Sequence, residues 1–220
     1  MQRILLVCAT TVALLLVGSA ALYNARNHRR GKTTITSNTP DNTKLLSRLK
    51  AHAATIVPYA KQHGYNTRFC FLADMQLHSG QNRFFVYDLT ADSVLDAGLV
   101  THGRCNQAWL AGRQYGNEVG CGCTSLGKYK IGKPYHGRFG LAYKLHGLDA
   151  TNNNAFKRYV VLHSHECVPE NEVSPAPICQ SDGCPTVSPG FLQKLAARIN
   201  ASEKPVLLLI VDNGQSNASQ

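Results

Sequence analysis

One stretch of sequence decides our interpretation of the fold: residues 163–187, HSHECVPENEVSPAPICQSDGCPTV. They follow the apolar run Tyr159–Leu162, which predicts a buried strand ending at His163. Cys184 lies twenty-one residues later, between a glycine and a proline. By residue type alone this cysteine is half of a disulfide, a metal ligand or a nucleophile.

The rest of the chain reads as mainly β structure with flanking helices. Apolar residues at helical spacing from Leu45 to Ala60 predict an amphipathic helix that ends at Gly64. Ser188 and Pro189 are typical of a helix start, and we expect a second helix over 189–199. Seven segments predict short strands: 70–77, 83–90, 97–103, 127–135, 141–148, 158–165 and 205–212.

The amino terminus predicts export. Residues 4–23 carry no charge and are followed by a basic cluster. Residues 1–32 are therefore a signal peptide or an N-terminal membrane anchor, with attachment through residues 4–23 in the second case. We expect the protein in the periplasm or cell envelope, released or membrane-anchored.

Charge argues against a nucleic-acid partner. The formal net charge is +10, but without residues 1–32 there remain 18 Lys and Arg against 13 Asp and Glu, or +5. The basic residues are scattered and form no run typical of a nucleic-acid-binding tail.

Seven cysteines follow the export segment, and cysteines in an oxidising compartment tend to pair. Seven is odd, so at least one thiol is left for an intermolecular bond or for chemistry. The seven are Cys70, Cys105, Cys121, Cys123, Cys167, Cys179 and Cys184.

A zinc site is one alternative for Cys184, because histidine and cysteine are the preferred zinc ligands. The pattern for it is weak, since the sequence has no Cys-x-x-Cys pair and oxidation competes for the thiols. The candidate ligands are His163, His165, Cys167, Cys179 and Cys184.

A nucleophile needs a base and backbone N–H groups aimed at the developing oxyanion. Gly183 permits unusual backbone angles and a close approach next to Cys184. His163, at the end of a strand, is placed to act as the base.

Several segments resemble bacterial L,D-transpeptidases, in the branch whose cysteine motif reads Ser-x-Gly-Cys-Pro. The segments are VVLHS at 160–164, SDGCPTVSPGFLQKLAARI at 181–199, SGQNRFFVYDL at 79–89, THGR at 101–104, TSLGKYKIGKPYHGRFGLAYKLHGLD at 124–149 and NNNAFKRYVVLH at 152–163. The resemblance covers about residues 69–211.

This resemblance implies an L,D-transpeptidase-like catalytic domain, a β-sandwich or barrel-like fold, over residues 65–212. Residues 33–64 then form a linker and the amphipathic helix, and residues 213–220 a disordered tail.

The resemblance also implies roles for individual residues. Cys184 is the nucleophile, His163 the base and Ser164 the residue that orients the His163 ring, while Gly183 and Cys184 supply oxyanion donors. His165 competes with His163 for the role of base by spacing alone.

Three further residues are candidates for substrate binding. Arg158 is suited to a substrate carboxylate, although a structural ion pair explains it equally. His102 and Arg104 match the family segment THGR, which either lines the cleft or forms a structural turn.

The implied reaction is acyl transfer on peptidoglycan stem peptides through an acyl-enzyme. An acceptor amine gives a cross-link, whereas water gives carboxypeptidase activity. No metal or organic cofactor is required, and no oligomeric state is indicated.

The chain departs from the family pattern at two points. Asp182 stands where many members have histidine. The segment between His163 and Cys184 is long, and we expect Cys167 and Cys179 to join within it. Two more pairs among the four upstream cysteines would leave Cys184 free.

Two other functions remain open from the sequence. A catalytically idle wall-binding module would have Cys184 oxidised in a disulfide. A zinc hydrolase would use the histidine and cysteine cluster as metal ligands.

Overall fold

The computed structural model describes residues 40–214, which fall within one compact unit. The predicted export segment and most of the predicted linker and tail lie outside these residues. In the described range, no helix has both the length and the apolar character needed to cross a membrane.

Within residues 40–214, eight strands form a single sheet that is flanked by two helices. The helices are α1, Pro40–His63, and α2, Pro189–Asn200. The strands are β1 Phe69–Asp74, β2 Phe84–Asp88, β3 Ser93–Gly98, β4 Gly127–Gly137, β5 Gly140–Gly147, β6 Val161–Ser164, β7 Thr186–Val187 and β8 Leu207–Val211. The prediction of a mainly β domain with flanking helices is confirmed.

The sheet has the order β3-β2-β1-β8-β4-β5-β6-β7. The pairs β1–β8 and β6–β7 are parallel, and the other neighbours are antiparallel. The sheet is open, but an isolated bridge between Val100 and Val187 connects the segment after β3 to β7 at the opposite edge. This connection brings the THGR segment beside the cysteine motif.

Both faces of the sheet are covered, so the last strand has apolar residues in succession rather than in alternation. In β8, Leu208 and Ile210 pack in the larger core with Phe191 of α2. Leu207 and Leu209 pack on the other face, in the core that contains Ile56 of α1. Strand β8 therefore contributes side chains to both cores.

Helix α1 ends before Gly64 as predicted but begins at Pro40, five residues before the predicted Leu45, and α2 begins at the predicted Pro189 and ends one residue later than predicted. Gly64, with φ of +73°, follows the last residue of α1, and the N–H of Tyr65 donates to the carbonyl of Ala60. At α2, the hydroxyl of Ser188 accepts from the N–H of Phe191 at 3.2 Å, as an N-cap residue does.

The third strand is the element that the sequence placed wrongly. It was predicted over 97–103, but β3 spans Ser93–Gly98. Asp92 has φ of +52°, and the antiparallel ladder with β2 begins immediately after it, at Ser93. Residues 99–101 are buried but do not extend β3. Val100 forms an isolated bridge to Val187 instead.

The central position of β8 predicts the result of a cavity-forming substitution. Leu208 is fully buried, so Leu208→Ala should lower the free energy of unfolding by about 3 kcal/mol. Val119→Ala is the control, because Val119 is 67% exposed and its change should stay within about 0.5 kcal/mol. Urea denaturation followed by circular dichroism measures both, and equal effects would contradict the assignment of β8 to the core.

Candidate active site

Cys184 lies in a tight turn two residues before β7. Its Sγ accepts a weak hydrogen bond from the N–H of Val161 at 3.5 Å and lies 3.9 Å from the carbonyl oxygen of Tyr159. Burial raises the pKa of the Cys184 thiol, while Val161 and the charge of Arg158 act in the opposite direction. The thiol is unpaired and protonated unless a base removes its proton.

The carbonyl of Cys184 is held by neighbouring hydroxyl groups. Ser181 donates to it at 2.7 Å and Thr101 at 3.2 Å. The N–H of Gly183 donates to the hydroxyl oxygen of Ser181 at 3.2 Å. These bonds fix the backbone that carries the thiol.

Gly183 occupies a position that another residue would fill poorly. Its φ is +106°, and a Cβ there would lie 2.5 Å from the carbonyl oxygen of Cys123 and 3.1 Å from Arg158 Nη2. Both the backbone angle and the close approach require glycine.

His163 is fixed by contacts on both sides of its ring. Its Nδ1 lies 3.0 Å from the carbonyl oxygen of Ser164, and its Nε2 lies 3.0 Å from Thr186 Oγ1. Because a carbonyl can only accept, Nδ1 carries the hydrogen and the lone pair of Nε2 accepts from the hydroxyl of Thr186. Phe139, at the tip of the β4–β5 hairpin, stacks on the ring with centroids 4.2 Å apart.

Burial lowers the pKa of His163, and nearby His165 adds to the fall while the Ser164 carbonyl opposes it. The imidazole is therefore neutral at neutral pH. A neutral imidazole and a protonated thiol are the protonation states from which a proton can move from sulfur to nitrogen.

One cavity of about 430 Å³ contains both groups. Four predicted residues line it together: Arg104, Arg158, His163 and Cys184. His165 also lines it, with Nδ1 accepting from the N–H of Cys167 at 3.1 Å.

The other predicted residues lie around this cavity. Ser164 lines an adjoining depression and contacts His163 through its carbonyl. Gly183 forms the turn beneath Cys184. His102 is buried and lines a different cavity.

Asp182 forms an ion pair with Arg104, whose Nε donates to Asp182 Oδ1 at 2.7 Å. The two side chains are 72% and 44% exposed, so the pair contributes little to stability. Asp182, which stands where the sequence comparison expected histidine, is thus paired with Arg104 of the THGR segment.

Arg158 donates to neutral oxygens. Its guanidinium contacts the carbonyls of Gly116 and Cys123 and the hydroxyl of Ser125. In residues 40–214 no carboxylate forms an ion pair with it. The structural ion pair considered for Arg158 is therefore not formed within these residues, and Arg158 lines the cavity.

The expected pair Cys167–Cys179 is confirmed, and Cys105–Cys123 is a second disulfide. The expectation of a third pair, leaving one free thiol, is wrong. Cys70, Cys121 and Cys184 are all free. Cys70 is buried in the core under α1. The odd count therefore does not single out Cys184.

The disulfide also bears on the zinc hypothesis, since Cys167 and Cys179 were two of its five candidate ligands. Within the described range, no three histidine, cysteine or acidic side chains are grouped so that they could hold a metal ion.

Two residues of the site were missed from the sequence. Thr186 is the second residue after Cys184, and the β6–β7 register places it beside His163. Phe139 lies between Gly137 and Gly140, a spacing that marks a hairpin tip, but nothing in the sequence shows which side chain the tip covers.

A sequence model of the L,D-transpeptidase catalytic domain matches residues 41–207. The chain belongs to this family. None of the curated proteins compared with it matches in sequence.

Several solved structures are similar to the chain. Pgp2 from Campylobacter jejuni, described as a helical cell shape determining protein, is 13% identical, with a TM-score of 0.40 over 69% of this chain and 50% of Pgp2. An L,D-transpeptidase from Xylanimonas cellulosilytica is 14% identical, with a TM-score of 0.37 over 70% and 68% of the two chains. An L,D-transpeptidase from Mycobacterium smegmatis is 13% identical, with a TM-score of 0.38 over 66% and 58%.

This chain spans about half the length of Pgp2. The structural similarities are too weak to assign a function, and the family assignment comes from the sequence match.

The geometry at Gly183 gives a test of the turn. Gly183→Ala should destabilise the fold by about 3 kcal/mol, because strain and the contact with Cys123 add together. Gly120→Ala is the matched control, since φ is +82° there but no atom lies within 4 Å of the added Cβ, and about 1 kcal/mol is expected. Thermal unfolding compares the two, and a smaller loss at Gly183 would contradict the close approach.

Proposed function

We propose that the protein catalyses cysteine-dependent acyl transfer on peptidoglycan stem peptides, as an L,D-transpeptidase or an L,D-carboxypeptidase. The observation that carries this proposal is one cavity containing an unpaired thiol, Cys184, and a neutral imidazole, His163. Family membership supports the substrate class. It also supports a cell-envelope location, to which residues 1–32 would direct the catalytic domain at 65–212.

The first step is transfer of the thiol proton to His163. Burial disfavours the Cys184 thiolate, so the resting pair is thiol and imidazole rather than an ion pair. Nε2 accepts the proton as Sγ attacks the substrate carbonyl. The Ser164 carbonyl keeps the ring oriented by binding the hydrogen on Nδ1.

Thr186 adjusts to this proton transfer. Its hydroxyl lies 3.0 Å from His163 Nε2 and 3.4 Å from the carbonyl of Cys184. With a neutral ring the hydroxyl donates to Nε2. Once Nε2 is protonated, the hydroxyl oxygen accepts from it and its hydrogen turns to the Cys184 carbonyl.

Attack forms a bond between Sγ and the carbonyl carbon, and the developing oxyanion takes hydrogen bonds from backbone N–H groups of the turn. The N–H of Gly183 donates to the hydroxyl oxygen of Ser181 and would turn from it to the oxyanion. His163 then protonates the departing amine, which leaves as the terminal residue of the stem peptide. An acceptor amine or water cleaves the thioester.

Positive charge around the cavity matches an anionic peptide. Arg104, Arg138 and Arg158 line it, and Asp182 is the acidic residue among them. Arg104 is bound to Asp182, whereas Arg158 has only neutral partners. Arg158 is therefore the residue that we assign to a substrate carboxylate, with Arg104 at the rim. His102 as a substrate-binding residue stays a prediction from the sequence.

The proposal is tested with purified stem peptides and mass spectrometry. Cys184→Ala and His163→Ala should each abolish both trimming and cross-linking of the peptides. His165→Ala is the matched control, because it removes the other histidine of the cavity and should retain most activity. A Cys184→Ala protein that still processed the peptides would refute the assignment of Cys184 as the nucleophile. Loss of activity in His165→Ala but not in His163→Ala would assign the role of base to His165.

The two pKa shifts predict the pH dependence. Because the pKa of His163 is lowered, its neutral form persists on acidification, and the acid limb of kcat/KM should lie below pH 6.5.

In His163→Ala, alkylation of Cys184 by iodoacetamide should rise only at a pH above that of an ordinary cysteine, since burial raises the thiol pKa. Peptide mapping separates this label from Cys121, and rapid labelling of Cys184 at pH 7 in the variant would contradict the neutral pair.

A further inference from the structure

Cys121 is a half-buried free thiol that lies beside a disulfide. The disulfide joins Cys105 to Cys123, and a single residue separates Cys121 from Cys123. The N–H of Cys123 donates to Cys121 Sγ at 3.3 Å, so the free thiol contacts a residue of the bridge directly. The proposed acyl transfer makes no use of Cys121.

Cys105 faces the residue that lies between its two candidate partners. Its N–H donates to the carbonyl of Gly122 at 3.0 Å, and Gly122 separates Cys121 from Cys123. Cys105 and Cys121 are both partly exposed, whereas Cys123 is 4% exposed. Of the two bridge residues, Cys105 is thus the one accessible to an attacking thiol.

The backbone around these cysteines has both the freedom and a reason to change. Cys121 lies between Gly120 and Gly122, at φ of +82° and +65°, and a Cβ added at Gly120 would meet no atom within 4 Å. Glycine tolerates many backbone angles, so Cys121 can move toward Cys105. Cys105 has φ of +52° in its pairing with Cys123, and a non-glycine residue is strained at this angle.

Thiol–disulfide exchange among the three cysteines needs no oxidant or reductant. The thiolate of Cys121 attacks Cys105 Sγ, and the bond between Cys105 and Cys123 breaks. Cys123 Sγ leaves as a thiolate and takes up the proton that Cys121 lost, so one S–S bond replaces another. The two pairings close loops that differ by two residues, and chain entropy therefore favours neither strongly.

We propose that Cys105 exchanges its disulfide partner between Cys123 and Cys121, and that the exchange shifts Arg104 at the rim of the candidate active site. The structure shows the pairing with Cys123. The pairing with Cys121 is the second state, and both are populated at equilibrium.

Arg104 connects the exchanging cysteine to the cysteine motif. It directly precedes Cys105, and its N–H donates to the carbonyl of Ser181 at 2.9 Å. Its side chain pairs with Asp182 at 2.7 Å. Both the backbone and the side chain of Arg104 are therefore bound to residues just before Cys184.

The segment that would move also packs against the neighbour of Arg104. A Cβ added at Gly103 would lie 2.4 Å from the carbonyl oxygen of Gly122, so the two backbones are in close contact. Pairing of Cys105 with Cys121 would draw residues 121–123 along this contact. The movement is thereby transmitted to Arg104 and to the rim of the cavity.

The exchange is tested on the full chain by mapping its free thiols. The protein is incubated at pH 8 and then unfolded in guanidinium chloride with N-ethylmaleimide at pH 6, where exchange is slow. Trypsin places Cys105 in peptide 105–113 and the other two cysteines in peptide 114–128, in which fragment ions locate the label. We expect label on Cys121 and, in at least about a tenth of the molecules, on Cys123. Label on Cys121 alone would overturn the proposal.

Cys121→Ser is the matched control, because it removes the attacking thiol and leaves the bridge that the structure shows. Label on Cys123 should then disappear. Equal labelling of Cys123 in the wild type and in Cys121→Ser would show that the bridge is reduced rather than exchanged, and would also overturn the proposal.

Cys123→Ser tests the second pairing by itself. Cys105 should pair with Cys121 in this variant, so that neither is labelled. Label on both cysteines would show that Cys121 does not reach Cys105, and would contradict the proposal.

The effect on Arg104 is measured by comparing the two serine variants, each of which holds the chain in one pairing. With stem peptides, kcat/KM of Cys123→Ser should be at least about threefold below that of Cys121→Ser. Equal values would overturn the link to Arg104. This comparison rests on the proposed function, whereas the label positions do not, so failure of the exchange is distinguishable from failure of the acyl transfer.

Discussion

The parallel pairing of β6 with β7 is the constraint on which the candidate site depends. It places His163 directly beside Thr186, and Cys184 precedes Thr186 by two residues. The proposed base, His163, therefore lies on β6, and the proposed nucleophile, Cys184, lies in the turn that leads into the adjacent strand β7. The two-residue strand β7 is itself held by the bridge to Val100 and by the hydrogen bond from the N–H of Thr101 to the carbonyl of Thr186.

The same pairing explains the electrostatics of the site. His163 lies on β6 and Cys184 in the turn that leads into β7, and burial at both places opposes charge on the imidazole and on the thiol. The site therefore gains a fixed geometry at the cost of a less acidic thiol. The charge of Arg158 and the N–H of Val161 offset only part of this effect.

The sequence could predict elements whose signals are local. The helix from Pro189, the strand ending at His163 and the disulfide Cys167–Cys179 all depend on nearby residues or on a short separation. It could not predict contacts that form only when distant segments meet. The stacking of Phe139 on His163, the partner of Asp182 and the burial of Cys70 beneath α1 are set by the sheet order. The third strand was misplaced for a related reason, since an apolar alternation does not show which residues find a pairing partner.

The disulfide Cys105–Cys123 has a consequence for how the site is assembled. The carbonyl of Cys123 accepts from Arg158 and also lies against Gly183, so one peptide group contacts both the cavity arginine and the cysteine turn. The side chain of the same residue is joined to the loop that begins at Cys105. Oxidation of this pair restrains the peptide group that contacts both Arg158 and Gly183, so the shape of the candidate cavity depends on the redox state of two cysteines that do not line it.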